Sequence, residues 1–193
     1  MGVTVTHHPV RILTDILRAG RETPAGIESR QQERLHHLVA FAREHSVFYG
    51  KLYSSLPSVI HDPRILPPVS KRDLMANFDG WATDAAVRWE TAEAFVADLA
   101  RVGRYYLDRY LAFATSGTTG RPAVFLHDRG AVNVYIALML ARRLPTLIAG
   151  GTKASFLGNR GRMATIITTG GHFTSSVIES LVRSRFPRLS GRN

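Results

Sequence analysis

The chain has 193 residues, 45% hydrophobic and 21% charged, close to the globular average, which excludes disorder along its whole length. It has no cysteine, which removes a disulfide scaffold, a thiolate metal site and a cysteine nucleophile. The formal charge is +10 and unevenly spread: residues 121–193 hold eleven of the 25 basic residues and two of the 15 acids, leaving 14 bases and 13 acids before them.

Such a basic field attracts phosphates, whether of a nucleotide or of a nucleic acid. Arginine usage in a GC-rich genome, or acidic partner segments outside this chain, would give the same imbalance, and charge alone does not choose among the three. No apolar run approaches the roughly 20 residues of a bilayer crossing. Arg11, Asp15 and Arg18 interrupt any signal-peptide core, so the expectation is a cytoplasmic protein opening with a short amphipathic helix.

After Pro24, Leu35, Leu38, Val39 and Ala42 recur at helical spacing, widened by Phe41, and imply a helix with one buried stripe. That pattern runs out near Glu44-His45-Ser46, and Gly50 is expected to break any continuation. Four prolines (Pro57, Pro63, Pro67 and Pro68) make the next stretch an extended connector. Ser70 and Asp73 then stand at capping-box spacing. A further helix is expected to open at Thr91, with Phe95, Leu99 and Val102 on one face. Residues 1–105 thus read as a mainly helical region.

From about residue 105 strand and helix patterns alternate. Tyr110–Thr115 and Ala123–His127 are β-type runs flanking a Gly/Ser/Thr loop. Asp128 can cap a helix whose apolar face is Val132, Tyr135, Ile136, Met139 and Leu140. Residues 154–158 and Met163–Thr169 read as further strands. Ser176 and Glu179 have capping-box spacing near a last helix carrying Val177, Ile178 and Leu181. The fold class expected is α/β, a helical N-terminal region followed by the start of a sheet with flanking helices. Few strands and uncovered sheet edges make residues 106–193 read as the opening of a nucleotide-binding domain.

The chemistry is concentrated in Thr115-Ser116-Gly117-Thr118-Thr119-Gly120-Arg121-Pro122. Glycines admit positive φ and close backbone approach, so successive N–H groups can converge on an anion. Hydroxyls of Ser116, Thr118 and Thr119 add donors, and Arg121 adds charge. The Gly-Lys-Ser/Thr ending of a Walker loop is absent, and so is the spacing of a dinucleotide-fold GxGxxG. A polar hairpin tip has a similar composition.

The wording of this loop resembles the phosphate-loop signature of the adenylate-forming superfamily, which includes acyl- and aryl-CoA ligases and peptide-synthetase adenylation domains. Thr115, Ser116, Gly117, Thr118, Thr119, Gly120 and Pro122 match it. Ala123 stands where most members have lysine, a departure shared with the phenylacetate-CoA ligase-like and CapK-like branch. Arg43–Tyr53 and Leu66–Phe78 resemble the helical region that precedes the loop in that branch. The resemblance covers roughly residues 30–130 and is weaker beyond.

The resemblance implies an AMP-forming ligase: ATP with Mg²⁺ activates a small carboxylic acid to an acyl-adenylate, and CoA is the implied thiol acceptor. On it, residues Thr115 to Arg121 hold the β- and γ-phosphates, and no protein nucleophile is required because the substrate carboxylate is one. His172 and Phe173 stand where the superfamily's next motif lines the acyl pocket; the plainer reading is a strand-to-helix turn with an exposed histidine. No histidine pairing or carboxylate cluster has metal-site spacing, so no protein metal ligand is expected here. No stretch after Gly120 resembles the superfamily's later adenine, magnesium, ribose, hinge or lysine motifs, so these residues read as an N-terminal fragment inactive alone. The competing reading is a basic nucleic-acid-binding or interaction module without catalysis, suggested by Arg183–Arg192 around Phe186.

Overall fold

Helix starts in this chain are set by short side chains that turn back onto the backbone. The computed structural model describes residues 9–115, 117, 122–149 and 170–185. They belong to two compact units, one formed by Glu22–Arg101 with Ala114–Phe125, the other by Met1–Arg21, Val102–Phe113 and Leu126–Asn193. Among the described residues no helix is long and apolar enough to cross a membrane.

In the first of these units, α2 (Pro24–His45) has Pro24 at its first position and Thr23 as N-cap, whose hydroxyl accepts the Gly26 amide at 3.2 Å. It ends at Ser46, which is extended at φ −116°, ψ 119°. Ser46 then caps α3 (Val47–Leu52), accepting the Tyr49 amide at 3.2 Å and donating its hydroxyl to the Gly80 carbonyl at 3.0 Å. The expected break at Gly50 is therefore misplaced. Gly50 lies inside α3, and the turn is made four residues earlier by a serine that can do both jobs.

Val39, Tyr53 and Ile60 form this unit's core, with Leu35, Tyr49, Leu52, Leu56 and Leu66 packed on it. Arg43 ties the connector to α2, donating to the carbonyls of Tyr53, Leu56 and Pro57 at 2.8–2.9 Å. The expected stripe is only partly buried: Val39 is enclosed while Leu38 is 64% exposed. The core lies to the Leu35–Val39 side of the helix, so Leu38 and Phe41 face solvent.

Asp62 caps a 3₁₀ turn at Pro63–Ile65, and α4 (Lys71–Ala76) opens with the expected capping box of Ser70 and Asp73. The Ser70 hydroxyl beside Asp73 holds that carboxyl below its usual range. After α5 (Phe78–Trp81) comes α6, which starts at Trp89, not Thr91, and ends at Ala97. Asp98 is extended, so Leu99 leaves the helical face and is 58% exposed.

The other unit begins with α1 (Pro9–Ala19), which packs against α7 (Arg129–Ala149). Strands β1 (Tyr105–Tyr106), β2 (Tyr110–Ala114) and β3 (Val124–Asp128) form an antiparallel sheet in the order β1-β2-β3. Tyr105 pairs with Leu111 and Tyr106 with Tyr110, across a turn in which Leu107 and Asp108 take positive φ. The fold is mixed and mostly helical, and the described strands are joined as hairpins. The expected strands at 154–158 and 163–169 lie outside the described residues.

Leu111, Phe113, Val132, Val177 and Leu181 make this unit's core. Gly103 has φ +79°, and a side chain there would overlap Ser180, whose hydroxyl donates to the Val102 carbonyl at 3.2 Å. Asp128 does cap α7, accepting the Ala131 amide at 2.7 Å. The apolar face expected on α7 is divided, since Val132 is buried while Tyr135, Met139 and Leu140 are exposed. The last helix, α8, spans Thr174–Arg185. It opens before Ser176, so the expected capping box is not formed; Glu179 instead pairs with Arg183 one turn on.

Candidate functional site

The strand–loop–strand element expected from the sequence is present, and Thr115 closes its base. Its amide donates to the Ala123 carbonyl at 3.0 Å, and its hydroxyl oxygen accepts the Ala123 amide at 2.9 Å. Backbone and side chain of one residue thus satisfy both polar groups of Ala123, which is fully buried. With the amide engaged, the hydroxyl hydrogen is what Thr115 retains to offer a ligand.

Gly117 has φ +67°, a left-handed conformation that costs other residues about 1–2 kcal/mol. A glycine there lets the chain reverse with its amides turned toward the loop's interior, the geometry of an anion-binding nest. Ser116, Thr118, Thr119, Gly120 and Arg121 lie outside the described residues. At the loop's exit Pro122 is exposed and Ala123 is buried. A lysine at 123 would have to carry its ammonium out of the interior, so the departure from the superfamily's usual lysine fits the local packing.

His172 is placed differently from either sequence reading. It is 2% exposed, and its Nδ1 lies 3.3 Å from the Ala112 carbonyl of β2. That oxygen can only accept, so Nδ1 carries the hydrogen in the neutral ring. The imidazole is an interior strut between β2 and the turn before α8. Phe173 is half-buried, and its ring lies against Gly171, where an added Cβ would stand 3.1 Å from it. Gly170, at φ +88°, makes the turn.

One titratable group was not singled out by the sequence. His127 on β3 lies edge-on to Phe113 at 4.9 Å and stacks on Tyr135 at 5.3 Å. Its Nδ1 is buried without a hydrogen-bond partner, and burial holds its pKa below the usual histidine range, against the opposing pull of Asp128. The sequence signal was the strand alternation itself, which places residue 127 on the same face as Phe125. Among the described residues, no group of three or more His, Asp or Glu side chains could hold a metal ion. No protein family, no curated protein and no solved structure matches this chain.

Proposed function

We propose that the chain carries the triphosphate-binding part of an AMP-forming carboxylate ligase. The observation that supports this most directly is the loop: the Thr115–Pro122 wording, closed by Thr115 and turned at Gly117 with positive φ. On this reading Ser116, Thr118, Thr119 and Arg121 donate to the β- and γ-phosphates of ATP with its Mg²⁺. The loop's contribution is to hold pyrophosphate as a leaving group while a carboxylate attacks the α-phosphate. Bound ATP supplies the activating phosphoryl chemistry. The carboxylate, the acceptor (CoA on the resemblance) and the roles of His172 and Phe173 belong to the same proposal.

Calorimetric titration at low salt tests it. ATP should bind the chain weakly, pyrophosphate should compete and adenosine should not. Replacing both Thr118 and Thr119 by alanine should weaken ATP binding roughly tenfold, through lost hydrogen bonds to a charged phosphate. Unchanged ATP affinity in that double variant would remove the loop from the mechanism. The basic excess after residue 120 favours a second reading, nucleic-acid binding. That reading requires tight binding of a single-stranded oligonucleotide with a steep loss on added salt, indifferent to the loop variant.

A further inference from the structure

The two segments that resemble the branch's upstream region, 43–53 and 66–78, meet in the helical unit and line a groove of about 790 Å³. From α3 come Phe48, Lys51 and Leu52; Met75 of α4, Phe78 of α5 and Trp89 of α6 complete the apolar lining. Its walls are tied together. The Ser46 hydroxyl donates to the Gly80 carbonyl at 3.0 Å, and buried Phe78 meets Trp89 edge-on at 5.2 Å. The size lies in the range of small-molecule sites, and aromatic and methionine side chains suit an apolar ligand body.

The charges at the groove differ in availability. Asp79 lines it too, but its carboxylate accepts the Trp89 amide at 2.7 Å and faces the Arg88 guanidinium at 3.3 Å. Lys51 is exposed, and no described carboxylate pairs with its ammonium. The negative group at the groove is already matched, and the positive one is not.

We propose that this groove binds a small amphiphilic anion, its anionic head at Lys51 and its apolar body against Phe48, Leu52, Met75 and Trp89. Carboxylate and phosphate heads share this chemistry. The site is independent of the phosphate loop and does not rest on the ligase reading.

Calorimetry of the unmodified chain with decanoate, decyl phosphate, decanol and decylamine, each below its micellar concentration, tests the proposal and separates the two head groups. The anions should bind more tightly than decanol, and decylamine least. Lys51→Met should lower anion affinity roughly two- to fivefold, the yield of one exposed charge contact, and leave decanol unchanged. Lys51→Glu should reverse the order of anion and amine. Met75→Glu should abolish binding, whereas Leu38→Ser, at an exposed apolar residue elsewhere on the unit, should not. The chain has two tryptophans, so in Trp81→Phe the emission of Trp89 should shift with decanoate. Equal affinity for decanoate and decylamine would overturn the proposal, as would equal loss in the Leu38→Ser and Met75→Glu chains.

Discussion

At residue scale, Thr115 joins the loop's sequence to its geometry. Its hydroxyl oxygen is the acceptor for a buried amide, so Thr115→Val should leave the Ala123 N–H without a partner and cost about 1–3 kcal/mol. Thr115→Ser keeps the oxygen and should cost much less; urea denaturation of both variants measures the difference. His127 gives a second residue-scale expectation. Its folded pKa is depressed by burial, so the unfolded chain binds the proton more readily. Its contribution to stability is therefore complete above the unfolded value, about 6.5, and is lost as pH falls below it toward the folded value. Denaturation midpoints at pH 7.5 and 5.5 should fall with acidity, and His127→Phe should flatten that segment of the profile. An unaltered profile in the variant would assign the loss to other groups.

At the scale of elements, local chemistry was more legible than packing. The capping box at Ser70 and Asp73 and the Asp128 cap of α7 were readable because both partners lie within one turn of chain. The Ser46 turn was not, because what fixes it is a hydrogen bond to Gly80, 34 residues away. The α2 stripe was half legible: periodicity marks an apolar sector, but the connector that covers it selects Leu35 and Val39 and omits Leu38. His172 was misread for the same reason, since its partner Ala112 is 60 residues distant. The loop was legible because its wording is local, and the closing role of Thr115 was not. Ser70→Ala should lower stability by about 1 kcal/mol through loss of the helix cap. Val39→Ala should cost about 0.5–2 kcal/mol while Leu38→Ala changes little, because only the first removes enclosed methyl groups. Equal effects at 38 and 39 would mean that the exposed face of α2 is covered in solution.

At the scale of the whole molecule, holding a triphosphate and completing a reaction are different tasks. Adenylate formation needs the α-phosphate, the carboxylate and the leaving pyrophosphate aligned together, and much of its rate comes from that alignment. The loop grips the end of ATP remote from the reacting phosphorus. Among the 193 residues, no stretch after Gly120 resembles an adenine, ribose or magnesium motif, and His172, the candidate for the acyl pocket, is enclosed at 2% exposure. The charge distribution agrees: eleven bases against two acids after residue 120 favour phosphate capture but supply no carboxylate set for a metal. The chain by itself should therefore bind ATP weakly and show no acid-dependent ATP–pyrophosphate exchange. An assay with labelled pyrophosphate, ATP and a panel of aryl and fatty acids decides this against the Thr118→Ala/Thr119→Ala control. Exchange above that control for any acid would show that these residues already contain a reacting centre, and would move the acyl site to groups other than the buried histidine.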